Sequence, residues 1–163
     1  MKTLYLVRHA KSSWEGSYLQ DYERPLLKEG IERTQKVIAF LQERKIRPEI
    51  IASSHAVRAL ETAKLIADGL EYPHHEILIE AKLYIDKIDS IIDVVYSLPD
   101  EKDSAMLVGH NPYITQFAND FLKNKIDYLP TSGVVAVNFK TDKWNQIPSA
   151  KKDVNFVIYP KLL

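Results

Sequence analysis

The sequence predicts an α/β fold, a three-layer α/β/α sandwich around a mostly parallel sheet with an antiparallel edge. Two patterns predict it. Short apolar runs of strand length alternate with longer segments whose apolar residues recur at helical spacing, as in strand–helix–strand units. The last two apolar runs have no helical segment between them, which suits an antiparallel pair at one edge.

In chain order, Leu4 to Val7 reads as a buried strand, followed by a polar, aromatic-containing loop from Arg8 to about Arg24. Pro25 sits near a helix start, and Leu27, Ile31, Ile38 and Leu41 line one face of a helix reaching about Lys45. Glu49 to Ala52 is a second strand, and a helix from about Ala56 to Leu70 carries Val57, Leu60, Ala63, Ala67 and Leu70 on one face. Ile77 to Ile79 is a third strand, and Ile88 to Leu98 a helix closed by Pro99. Ala105 to Val108 is the fourth strand, after which Gly109-His110-Asn111-Pro112 opens a helix to about Leu122. Gly133 to Phe139 and Asn155 to Tyr159 complete the sheet, joined by a polar loop containing Pro148.

A chain of 163 residues fits one domain, 1–163, able to bury roughly two thirds of its unfolded surface without staples. The absence of cysteine excludes disulfides, thiolate metal sites and cysteine nucleophiles. Lysine plus arginine (22) equals aspartate plus glutamate (22), so no global field recruits nucleic acid or an anionic membrane, and any anion site is local. The first apolar run, Leu4 to Val7, is far shorter than a signal-peptide core, and nothing approaches the ~20 apolar residues of a membrane helix. A cytoplasmic monomer is expected.

Open α/β sheets bind ligands beyond the carboxyl ends of their strands. After the first strand come Arg8, His9, Ala10 and Lys11; after the second, Ser53, Ser54 and, further on, Arg58. Glu80 follows the third strand, and Gly109, His110 and Asn111 the fourth. Two histidines, two arginines and a carboxylate thus converge on one edge. The chemistry points at phosphate. Guanidinium forks match phosphoryl oxygens, helix starts near Ala56 and Pro112 add N–H donors, and a neutral histidine is a nucleophile at neutral pH. Arg8 and Arg58 would disfavour imidazolium nearby. No phosphate-binding glycine loop, dinucleotide fingerprint or zinc motif is present.

The same residues carry a family resemblance. Leu6-Val7-Arg8-His9-Ala10-Lys11, Ser54-His55-Ala56-Val57-Arg58-Ala59-Leu60-Glu61-Thr62-Ala63 and Val108-Gly109-His110-Asn111-Pro112 resemble, in order, three blocks of the histidine phosphatase superfamily. Arg8-His9-Ala10-Lys11-Ser12-Ser13-Trp14, Arg24-Pro25-Leu26 and Pro130-Thr131-Ser132 are similar to its short SixA-type phosphohistidine phosphatase branch. The resemblance implies a phosphoglycerate mutase-like fold, a phosphoryl group taken by His9, its oxygens clamped by Arg8, Arg58 and His110, and no metal or other cofactor. Its substrate would be a phosphohistidine-bearing protein or a small phosphorylated molecule. Two positions depart from the superfamily pattern: Ala10 replaces glycine, and Glu15 stands where many relatives place a phosphate-binding asparagine.

Blander readings stand beside these. His110 could serve a helix start capped by Asn111, and Arg58 could pair with Glu61 one turn on. Glu80 is the expected general acid with Asp21 as its rival; Asp21 and Asn111 are also expected substrate contacts, and Lys11, Ser12 and Ser13 either contact substrate or are solvated. Trp14 and Tyr18 either wall the site or pin their loop, and His55 lies near it without a role. His74-His75 are adjacent in a loop, a poor arrangement for one ion. Functionally, the alternatives are a small-molecule phosphomonoesterase and a non-catalytic phosphate-binding module.

Overall fold

A computed structural model of the chain describes residues 1–14, 20–84 and 87–163. Strands β1 (Lys2–Arg8), β2 (Ile50–Ser53), β3 (Leu78–Ile79), β4 (Ser104–Gly109), β5 (Val134–Phe139) and β6 (Lys152–Ile158) alternate with helices α1 (Lys28–Glu43), α2 (Val57–Gly69), α3 (Ile88–Tyr96) and α4 (Tyr113–Asn119). Among the described residues the strands form one sheet in the order β3-β2-β4-β1-β5-β6. Pairings β1–β4, β2–β4 and β2–β3 are parallel; β1–β5 and β5–β6 are antiparallel.

The central strands are apolar on both faces because both are covered. Leu4 and Leu6 of β1, Ala105 and Leu107 of β4, and Val135 and Val137 of β5 face α3 and α4, meeting Ile91, Val94, Ile114 and Phe117. The alternate residues Tyr5, Val7, Met106, Val108, Val134 and Ala136 face α1 and α2, meeting Val37, Leu41, Ala63 and Ile66. Two cores back to back make the three layers.

Differences from the sequence pattern fall at the periphery. The helix opened by Pro112 stops at Asn119 rather than Leu122: the Asn119 amide takes both the N–H and the carbonyl of Ile126, and Phe121 and Leu122 bury themselves in the turn that follows. Strand β6 starts at Lys152 rather than Asn155, because the edge strand's polar, solvated start gives no apolar signal. Strand β3 is two exposed residues. Helix α1 opens hard against the loop after β1: a Cβ on Gly30 would stand 2.3 Å from the Lys11 carbonyl oxygen, so only glycine permits this approach.

Candidate active site

The parallel arrangement of β2, β4 and β1 delivers three chain ends side by side. The His9 N–H bonds the Gly109 carbonyl at 3.1 Å, and the Ser54 N–H bonds the Val108 carbonyl at 3.1 Å. From the other side, Ser132 N–H reaches the carbonyls of Arg8 and His9, while its hydroxyl meets Thr34 of α1 at 2.7 Å. The Ala10 N–H donates to Thr62 Oγ1, which donates to the Arg58 carbonyl one turn back along α2. The loop carrying His9 is therefore fastened to both flanking layers. A cleft of about 480 Å³ opens over these ends.

His9 is buried in the cleft wall, 7% exposed. Its Nδ1 lies 2.7 Å from the Ala10 carbonyl oxygen. A carbonyl only accepts, so Nδ1 carries the proton and Nε2 of the neutral ring keeps its lone pair. Burial, reinforced by Arg58, Arg8 and Arg24, pushes the imidazole pKa down to about 4, so the ring is neutral at pH 7.

The cations around it are held from behind. Arg8 donates from Nη1 to the Leu129 carbonyl at 3.1 Å. Arg58 is 2% exposed and gives Nη1 to the Asp21 carbonyl (2.9 Å) and Nη2 to Asp21 Oδ2 (3.0 Å). Arg24 reaches Asp21 Oδ1, Ser12 Oγ and the Ser13 carbonyl, with its guanidinium 3.6 Å from the Trp14 ring centre. The Tyr84 hydroxyl also donates to Asp21 Oδ2. Partial burial pulls the Asp21 carboxyl upward, but Tyr84, Arg58 and Arg24 outweigh it and hold the group below its ordinary range.

His110 stands beside His9, ring centres 5.0 Å apart, with the Tyr84 ring edge-on at 5.3 Å. Its Nε2 is 2.8 Å from Ser54 Oγ. Among the described residues three buried nitrogens have no partner: Arg8 Nε, Arg58 Nε and His110 Nδ1. Buried donors left open at one cleft suit a multivalent anion.

The matched family model, the histidine phosphatase superfamily (branch 1), spans residues 4–84, which includes Leu4 to Arg8 of β1, His9, Arg58 and Tyr84. The chain belongs to the histidine phosphatase superfamily. It is a phosphatase of that family. An uncharacterised protein of Mycobacterium leprae is 27% identical, over 86% of this chain and 91% of its own. The fold matches a structure provisionally assigned as the phosphohistidine phosphatase SixA of Agrobacterium tumefaciens, with TM-score 0.83, 22% identity and 98% of each chain covered. It also matches the protein histidine phosphatase SixA complexed with tungstate, at TM-score 0.81 and 18% identity, again over 98% of each chain.

For this superfamily member, the structure brings Arg8, His9, Arg58, His110, Lys11, Ser12, Ser13, Asp21 and Asn111 to the cleft, with Trp14 at its rim, 82% exposed. Lys11 is paired with Glu29 at 3.0 Å, and Ser12 is buried under Arg24. Asn111 does not cap α4; its amide bonds the Leu129 carbonyl and Thr115. Helix α4 begins at Tyr113 and is seven residues long, with Pro112 at its N-cap. Glu80 is half-buried between β3 and the short turn Ala81–Leu83, and is not among the described residues lining the cleft. The His55 ring lies tilted against that of Tyr84, their centres 4.9 Å apart, and His74 pairs with Asp68 at the surface. Among the described residues no group of three or more His, Asp or Glu could hold a metal ion, and no helix is long and apolar enough to cross a membrane. Glu15 and Tyr18 lie outside the described residues. Arg24, Tyr84 and Thr62 were not predicted as site residues. The spacing of Thr62 four residues after Arg58 is a usable signal for a shared helix face; Tyr84 has none.

Proposed function

We propose that the chain is a protein phosphohistidine phosphatase that works through a phosphohistidine intermediate on His9. One observation carries this reading: the His9 Nδ1–H is committed to the Ala10 carbonyl, which leaves a bare Nε2 in a cleft of guanidinium groups. The Nε2 lone pair attacks phosphorus, and an N–P bond forms as the bond to the substrate nitrogen breaks. Arg8, Arg58 and His110 hold the remaining oxygens. A phosphohistidine already protonated on its other ring nitrogen leaves as neutral imidazole and needs little acid help. Water then adds to phosphorus, the N–P electron pair returns to Nε2, and both water protons leave on dihydrogen phosphate.

Asp21, held anionic by Tyr84, Arg58 and Arg24, suits taking a proton from that water as it attacks and returning it to the departing phosphate. For an ester substrate, whose alkoxide needs a proton, Glu80 would have to reach the cleft from the turn after β3, whereas Asp21 already lines it. The exposed rim at Trp14 supports a substrate presented on another macromolecule, as do the SixA names borne by the fold neighbours. Such a substrate would make the protein a cytoplasmic signalling enzyme.

The test is phosphate release from a phosphohistidine-bearing protein and from an aryl phosphate, side by side. Higher kcat/KM on the phosphohistidine protein is expected. Preference for the aryl ester would contradict it in favour of a small-molecule phosphomonoesterase. Binding without release would contradict it in favour of a non-catalytic module.

A further inference from the structure

Neighbouring parallel strands place Ser54 against the second histidine. Ser53 of β2 is in register with Val108 of β4, so the residues just beyond, Ser54 and His110, meet where the strands end. Ser54 is fully buried. Its Oγ accepts the Ala56 N–H at 3.1 Å and lies 2.8 Å from His110 Nε2.

Two proton arrangements fit that contact, and counting donors separates them. If Nε2–H donates to Ser54, the serine proton is buried with no acceptor among the described residues, at a cost of about 1–3 kcal/mol. If Ser54 donates to Nε2, the hydroxyl gives one bond and receives one, and nothing on it is wasted. The ring is neutral, since burial, with His9 and Arg58 beside it, drives its pKa far down. A neutral ring accepting at Nε2 carries its proton on Nδ1.

We propose that Ser54 is a positioning residue that fixes the tautomer of His110, so that the Nδ1–H is the group offered to a phosphoryl oxygen. The inference rests on the phosphatase reading above. With Nε2 committed to Ser54, Nδ1 is the ring nitrogen left to a ligand, and it is buried without a partner among the described residues. In the other tautomer a nitrogen lone pair would face the oxyanion and repel it. The paired histidines thus take opposite jobs from opposite partners. A carbonyl on His9 Nδ1 leaves a lone pair that attacks, and a hydroxyl on His110 Nε2 leaves an N–H that holds.

The test is long-range proton–nitrogen NMR on the intact protein labelled with ¹⁵N histidine, at neutral pH. His110 should show a protonated Nδ1 and a bare Nε2; the reverse assignment would overturn the proposal, whatever any variant does. In Ser54→Ala the bare signal should leave Nε2, and inorganic phosphate should bind about tenfold more weakly. A Ser54→Ala ring and phosphate affinity unchanged from wild type would also overturn it. Neither readout involves turnover. Failure of the phosphatase reading would show separately, as phosphate binding by the wild-type protein without release from either substrate.

Discussion

Strand β1 has a cation at each end, and the two are treated in opposite ways. Lys2, at the start, is fully buried. Its ammonium donates to the carbonyls of Asp100 and Lys102, pairs with Asp103 at 3.0 Å, and sits 5.4 Å from the Trp144 ring centre. Three N–H donors meet three acceptors. Arg8, at the other end, has among the described residues one carbonyl partner and a buried Nε with none, and burial pulls its pKa down. Arg58 Nε and His110 Nδ1 nearby are likewise buried without a partner among the described residues. A buried cation that is fully satisfied is scaffold. One left short of partners is maintained at a cost in stability, and the cost makes sense where an anion arrives to supply the missing bonds.

The contrast predicts which end governs which property. Replacing Arg8 with Met should lower phosphatase turnover about 10²–10³-fold, the loss typical of an electrostatic stabiliser. It should leave the urea midpoint near wild type, because Arg8 is half-buried and gives up a single carbonyl bond. Steady-state kinetics beside urea denaturation checks both; a clear loss of stability with turnover retained would break the comparison. Lys2→Met should do the reverse, losing about 2–4 kcal/mol on denaturation as two carbonyls and a carboxylate lose their donor, with kcat/KM near wild type.

A smaller effect concerns pH. His9 titrates at about 4 in the fold against 6.5 for a free imidazole. Between those values the unfolded chain binds more protons than the folded one, so stability falls as pH drops from 6.5 toward 4. Urea midpoints across that window should slope less steeply in His9→Ala than in wild type.

The interior of the fold was legible because strands covered on both faces must be apolar throughout. Leu4 to Val7 and Ala105 to Val108 announce themselves for that reason. The edges were less so, since Lys152 and Asp153 of β6 are solvated and carry no such mark. In the site, Arg8, His9 and His110 follow directly from strand ends, and Arg58 from the first turn of α2. Arg24 and Tyr84 arrive from irregular segments whose approach is set by tertiary contacts, chiefly with Asp21. Asp21 itself could be read as a rival proton donor or a substrate contact but not as the anchor of two arginines, because those partners are 3 and 37 residues away along the chain.

The most direct test is to quench the enzyme during turnover of a phosphohistidine-bearing protein and locate the phosphoryl group by peptide mass spectrometry under alkaline conditions. The account predicts an acid-labile phosphoryl group on His9, absent from His9→Ala, which should also lose at least about 10³-fold in turnover. A His9→Ala enzyme that still turns over, or a phosphoryl group trapped on another residue, would contradict it.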